Sequence, residues 1–239
     1  MSEAKTKGVA FLNVRAFTVE RFGSGGWTAT LDRLVVTDRQ ELANIITVGW
    51  YPLALYARLL RALEEAHGAG DFALVVRQGR FQAERDLTTI QRVFLRMANP
   101  AFAVEKMGEY WRRFHDSGTW EIERATPTRV YGALVDWGVV DRVLCRELGG
   151  YMSRVLELVG AKDVNIEHPR CRAHGDARYE FHARWGLAEE RVPVGASSSP
   201  SEPPARRGSG VLAATGDAFA SSVEKLGTKR ASGGMKDGR

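Results

Sequence analysis

The hydrophobic period of the sequence changes near residue 118, and this change restricts the chain to folds that combine helices with an antiparallel sheet. Before that point apolar residues recur at the three- and four-residue spacing of helices. After it, Trp120-Glu-Ile-Glu alternates apolar and charged residues, as a half-buried strand does. We therefore predict an α+β fold, with a helical N-terminal half followed by a four-stranded antiparallel sheet and a long crossing helix.

Helical spacing covers most of the first half. It predicts helices over 9–22 and 27–34, with Gly23-Ser-Gly-Gly-Trp27 as the turn between them. Pro52 stands where a further helix begins. The remaining helices are expected over 71–98, up to Asn99-Pro100, and over 101–115.

The second half predicts two pairs of strands separated by a helix. Residues 120–135 form a hairpin that turns at Pro127 and Thr128. A long amphipathic helix over 138–159 follows and is closed by Gly160. Two more strands are expected, over 163–168 and 179–185.

Composition divides the chain into one folded domain and a tail. Of the 239 residues 44% are hydrophobic, which is enough for a sizeable core. From Val192 onward Ser, Pro, Gly and Ala dominate, and such a segment cannot offset the entropy of ordering. We therefore predict a disordered N-terminus over 1–7, a domain over 8–186, and a disordered basic tail over 187–239 that offers a site for a protein partner.

Charge and cysteine content restrict the partners and the compartment. The net charge is +5, but basic and acidic residues are interleaved, so no specific signal for nucleic acid or membrane emerges. No apolar run of signal-peptide or membrane-spanning length follows the first residues. The two cysteines are too few for a disulfide framework. A cytoplasmic protein is expected.

The stretch from Gly160 to Trp185 resembles the end of a 4-vinyl reductase domain, a small-molecule-binding domain that shares its architecture with TRAPP subunits and the haem NO-binding superfamily. In that family a glycine closes a long helix, and a strand leads to a cysteine, a Gly-Asp turn, a second cysteine, a Phe and a Trp. The matching residues are Gly160, Cys171, Gly175, Asp176, Phe181 and Trp185. Tyr179 stands at the position of the second cysteine.

The remainder of the chain resembles more specifically a family of myxobacterial proteins catalogued as the domain of unknown function DUF2378. The resemblance covers about residues 8–186. It is carried by Gly49-Trp-Tyr-Pro52, Gly79-Arg-Phe-Gln-Ala-Glu-Arg-Asp86, Phe94-Leu-Arg, Asn99-Pro100, Trp111-Arg-Arg-Phe-His-Asp-Ser-Gly118, Leu144-Cys145 and Gly149-Gly150.

The resemblance implies a zinc site. In similar domains of aromatic-sensing regulators, zinc is held at four positions that correspond here to Cys145, His168, Cys171 and Tyr179. Thiolate and imidazole are good zinc ligands, whereas tyrosine is a weak one, so Cys145, His168 and Cys171 are the candidates. The fourth position would need water, His174 or His182. In the alternative interpretation the cysteines are small buried hydrophobes.

Haem is the other cofactor that the superfamily implies, and the sequence argues against it. The candidate axial ligands in the helical half are His67 and His115, and neither lies in an apolar stripe. Haem-binding relatives use a Tyr-x-Ser-x-Arg signature for the propionates, but in Tyr151-Met-Ser-Arg154 the arginine comes one place early. The sequence therefore predicts a chain without haem.

No enzyme signature and no catalytic pair stands out, so we predict a non-enzymatic protein. The first hypothesis is a small-molecule-sensing or regulatory domain that binds an apolar molecule between the helices and the sheet. Its predicted pocket residues are Trp50, Tyr56, Phe94, Tyr110, Trp111 and Trp137. The alternative for these aromatics is a filled core. The second hypothesis is a scaffold that forms a homodimer through its helices, as TRAPP-like domains do, and recruits a partner through its tail.

Overall fold

The computed structural model describes residues 3–87 and 100–186, and it confirms the predicted α+β class and the four-stranded antiparallel sheet. The remaining residues, including Phe94, the end of the helix predicted over 71–98 and the predicted tail, lie outside the described part. The elements in chain order are β1 (Lys5–Lys7), α1 (Gly8–Leu31), α2 (Val36–Ala43), β2 (Trp50–Pro52), α3 (Leu53–His67), α4 (Ala73–Asp86), α5 (Pro100–Phe114), β3 (Thr119–Thr126), β4 (Arg129–Val135), α6 (Arg142–Leu158), β5 (Lys162–Arg170), a 3₁₀ turn (Arg172–His174) and β6 (Tyr179–Gly186).

The first strand corrects one prediction. Residues 1–7 were expected to be disordered, but Lys5–Lys7 pairs with β2 in a small antiparallel sheet. The Lys5 amide also donates to the Asp116 carboxylate at 2.6 Å, and the Thr6 hydroxyl donates to the Phe114 carbonyl at 3.0 Å. Backbone and side-chain hydrogen bonds hold this strand, and three polar residues are too few to show a hydrophobic period.

The helical half is built around α3 and the crossing of α4 with α6. One face of α3 is wholly buried, and Pro52 precedes the helix as predicted. The backbones of α4 and α6 come very close: a Cβ on Gly79 would lie 2.1 Å from the Glu147 carbonyl oxygen, and one on Gly150 would lie 2.2 Å from that of Val76. Only glycine permits this approach. In α1, Gly23 has a φ of 71°, so a kink separates its two helical segments, as the glycine-rich sequence predicted.

The sheet has the strand order β3-β4-β6-β5, with every neighbouring pair antiparallel. Helix α6 connects β4 to β5 and packs on the inner face of the sheet. It begins at Arg142, later than predicted, because the Asp141 carboxylate caps it by accepting a hydrogen bond from the Val143 amide at 2.9 Å. Inner-face residues of β3, β4 and β6 join the side chains of α3 and α6 in one hydrophobic cluster.

None of the described helices combines the length and the apolar character needed to cross a membrane.

Candidate metal centre

The structure brings the three predicted metal ligands together. Cys145 lies on α6, His168 lies on β5 and Cys171 lies just after that strand, and one ligand atom from each falls within 4.8 Å of the other two. The two sulfur atoms are 3.6 Å apart. Both cysteines are buried, and both are free thiols. The three side chains therefore cluster as a ligand set would, and metal binding by them stays a prediction.

Local turns put the three side chains in place. Cys145 lies one turn beyond the Asp141 cap, and its thiol points back to the Asp141 carbonyl at 3.7 Å. The turn after Cys171 is closed by Asp176, whose carboxylate accepts the Cys171 amide at 2.7 Å, and by Gly175 with a φ of 95°. The His168 ring stacks on Phe181 at 4.1 Å between centroids, so its orientation is fixed.

A backbone contact selects the tautomer of His168. Its Nδ1 lies 2.8 Å from the carbonyl oxygen of Glu180, so Nδ1 carries the proton and donates. The other nitrogen, Nε2, is buried and has no hydrogen-bond partner among the described residues. Histidine ligands of zinc usually hold their second nitrogen in this way, which leaves a lone pair free for the metal.

Burial shifts the pKa of two of the three candidate ligands, Cys145 and His168. Burial raises the pKa of the Cys145 thiol well above its usual range, and the neighbouring Cys171 adds to the effect. Burial also lowers the pKa of His168, so the ring is neutral, as a metal ligand must be. Zinc binding would therefore release thiol protons, and zinc affinity should rise with pH.

The fourth position is not filled by the residues considered for it. The Tyr179 hydroxyl, which replaces the family's second cysteine, donates to the Val139 carbonyl at 3.2 Å. His182 points to the outer face of the sheet, where its Nε2 lies 2.8 Å from the Glu180 carboxylate. His174 is exposed on the 3₁₀ turn. Among residues 3–87 and 100–186, the candidate ligands at this centre are therefore Cys145, His168 and Cys171.

The predicted pocket aromatics do not form a single lining. Trp111 and Trp137 are in contact, with 5.4 Å between ring centroids, and Tyr110 lies beside Trp111 on α5. Trp50 is 40% exposed and lies under the Lys7 ammonium, while Tyr56 is buried in the helical half. The periodic spacing of apolar residues predicts which side chains are buried. It does not predict which of the buried side chains contact one another.

Trp111 and Trp137 instead belong to an aromatic cluster between α5 and the sheet. Trp111 also packs against Trp120 at 5.9 Å, and Trp137 packs against Tyr179 at 5.6 Å. The cluster therefore reaches the metal centre, because His168 and Tyr179 are stacked with 6.1 Å between centroids. This packing favours the interpretation in which the aromatics fill the core.

Both histidines that the sequence offered as haem ligands are engaged in contacts within the protein. His67 uses Nε2 to contact the Gly26 carbonyl at 2.9 Å, and its ring is stacked on Phe22. His115 is stacked on Trp111 at 3.9 Å and meets Trp137 edge to face, so tryptophans contact this ring on two sides. Burial also lowers the pKa of His115 to about 3, so the ring stays neutral within this packing.

Two supporting groups were missed by sequence reasoning. Asp176 was assigned only to a turn, although its position in the Gly-Asp match was a signal for a role at Cys171. The Glu180 carbonyl that orients His168 is a backbone group, and no side-chain pattern reveals it. Its position follows from the register of β5 against β6, which is irregular between Glu167 and Arg170.

Comparison with solved structures places this fold beside the haem NO-binding proteins. An unliganded Fe(II) H-NOX protein from K. algicida gives a TM-score of 0.60 at 11% identity, covering 77% of this chain and 98% of that chain. The H-NOX protein from S. oneidensis in the Fe(II)NO state gives 0.59 at 13% identity, covering 75% and 99%. A variant of the Tt H-NOX gives 0.55 at 10% identity, covering 81% and 100%.

These likenesses establish the class of fold, an H-NOX-like α+β domain. No family model matches the sequence, and no curated protein matches it.

Proposed function

We propose that this chain is a non-enzymatic regulatory domain of the 4-vinyl reductase type, in which a zinc ion held by Cys145, His168 and Cys171 stabilises a small-molecule-sensing fold. The single observation that carries the proposal is the meeting of two thiols and one pre-oriented imidazole within 4.8 Å. These donors match the preference of zinc for sulfur and nitrogen. The resemblance to 4-vinyl reductase domains and the H-NOX-like fold support the sensing role.

Zinc would act here as a cross-link and would supply binding energy on folding. Its three ligands come from α6, from β5 and from Cys171, the residue that precedes the 3₁₀ turn. The His168 ring also contacts Tyr179 and Phe181 of β6. The centre therefore joins the crossing helix to the sheet at the edge of the aromatic cluster. A change in the packing of the core would then move the side chains that hold the zinc ion.

Metal analysis of the purified full-length protein tests the zinc centre. We expect about one equivalent of zinc per chain, as in other single structural sites. The variants Cys145→Ser, Cys171→Ser and His168→Gln should each lose most of it, since each removes one of the three protein ligands. The matched control is His182→Gln, because this histidine faces the opposite side of the sheet and should leave the zinc content unchanged.

The two outcomes of this experiment are distinct. Zinc that disappears in all three ligand variants and remains in the control supports the centre. A wild-type protein that takes up no zinc after incubation with the ion, and that is as stable as the ligand variants, would overturn it.

Ligand screening tests the sensing role separately. We expect the zinc-loaded protein to unfold at a higher temperature with one class of apolar compound, such as phenols or fatty acids, because a bound ligand stabilises the native state. Trp137→Phe should reduce the shift, because an apolar ligand that enters the core must contact the closely packed rings around Trp137. Trp50→Phe should leave the shift unchanged, because the Trp50 ring is exposed. The absence of a shift with any apolar compound would argue against sensing and leave the zinc result untouched.

A further inference from the structure

The outer face of the sheet carries two arginines side by side, on the side opposite the metal centre. Arg129 on β4 is the direct cross-strand partner of Arg184 on β6. The Trp185 amide donates to the Thr128 carbonyl at 3.0 Å, so the adjoining arginine pair is a non-hydrogen-bonded pair. In such pairs the Cβ atoms lie only about 4.5–5.5 Å apart, and like charges there are destabilising.

Two shallow cavities meet at this pair, and both arginines line each of them. The first cavity is bounded also by Tyr131 and His182, the next cross-strand pair, whose rings meet edge to face at 4.7 Å. The second is bounded also by Asn165 and Trp185. The arginine pair therefore lies between two concave surfaces, and the first of them contains the rings of Tyr131 and His182.

The carboxylates nearby neutralise this pair only in part. Glu167 lies 3.6 Å from Arg184, both side chains are more than half exposed, and Glu167 also accepts the Asn165 amide at 3.0 Å. Asp163 lines the second cavity as well. Arg129 makes no ion pair with any residue in the described ranges 3–87 and 100–186.

Arg178, at the other end of the same sheet face, differs from Arg129 in having carboxylate partners. Arg178 pairs with Glu123 and approaches Glu180 at 3.6 Å. Carboxylates therefore satisfy the charge at that end, whereas the guanidinium of Arg129 has no carboxylate partner among the residues that the structure describes. An arginine fork of this kind matches the oxygen atoms of a phosphate group better than a lysine would.

We propose that Arg129 and Arg184 form a binding site for the phosphate group of a small phosphorylated molecule. The anion would bridge the two guanidinium groups and remove their repulsion, while Tyr131 would flank the organic part of the ligand. The site goes beyond the proposed zinc and sensing functions, and it lies on the other face of the sheet.

Thermal unfolding of the zinc-loaded protein in inorganic phosphate and in sodium chloride of equal ionic strength tests the site. We expect phosphate to raise the unfolding temperature of the wild type by about 2 °C or more. Phosphate also stabilises proteins generally by exclusion from their surface, so the comparison between variants decides. Arg129→Gln and Arg184→Gln should each lose the added shift, and Arg112→Gln, an exposed arginine on α5, should keep it.

A second readout separates binding from a structural role. Without phosphate and at low salt, Arg129→Gln should be at least as stable as the wild type, because it removes a like-charge contact. Phosphate affinity measured by calorimetry should fall at least about tenfold in either arginine variant. The proposal is overturned if phosphate shifts the wild type and both variants equally, or if vesicles containing phosphatidic acid bind while soluble phosphate and glycerol phosphate do not.

Discussion

Replacing Gly150 with alanine should lower the free energy of unfolding by at least about 3 kcal/mol, because the added methyl group meets backbone that cannot rotate away. Its Cβ would lie 2.2 Å from the Val76 carbonyl oxygen, so α6 must move away from α4. In a domain of this size the loss corresponds to a fall of about 6–12 °C in the unfolding temperature. Chemical denaturation monitored by circular dichroism measures it.

The preceding glycine supplies the matched control. Gly149 lies on the same helix, and a Cβ there would meet nothing within 4 Å. Gly149→Ala should leave stability unchanged or raise it by up to about 1 kcal/mol, because alanine is the better helix former. Equal unfolding midpoints for the two variants would show that the close helix crossing does not exist in solution.

Replacing Trp137 with alanine should cost about 3–5 kcal/mol, the usual loss for a buried tryptophan. The side chain is 2% exposed and touches Trp111, His115 and Tyr179. Trp137→Phe should lose less, because a ring remains in the cluster. The unfolding midpoint in urea measures both losses.

Trp50 is the control for this second prediction. It is 40% exposed, so Trp50→Ala should cost no more than about 1 kcal/mol. Both residues were assigned to one pocket from the sequence, and the structure distinguishes them by burial. If the two alanine variants were equally stable, the aromatic cluster would not be part of the core.

The class of fold could be predicted because it depends on local periodicity. The change from helical to alternating spacing near residue 118 located the sheet, and the Asn99-Pro100 step located the start of α5 at Pro100. The strand β1 escaped detection because its stability comes from residues far along the chain. Lys5 meets Asp116, and a three-residue segment carries no period of its own.

The candidate ligands of the metal centre could be predicted from the sequence, but the groups that orient those ligands could not. Cysteine and histidine are rare enough that a resemblance marks them by position. The tautomer of His168 depends on the Glu180 carbonyl, which any amino acid would provide. The arginine pair on the outer face was missed because Arg129 and Arg184 are far apart in sequence. Only the register of β4 against β6 makes them neighbours.

The pairing of Lys5 with Asp116 has a consequence for how the chain folds as it is synthesised. The two residues are separated by 111 positions, so strand β1 cannot complete its contacts until more than a hundred residues have left the ribosome. Contacts of such long separation form late and slow the folding of a domain. The contacts of strand β1 are therefore among the last of this domain to form.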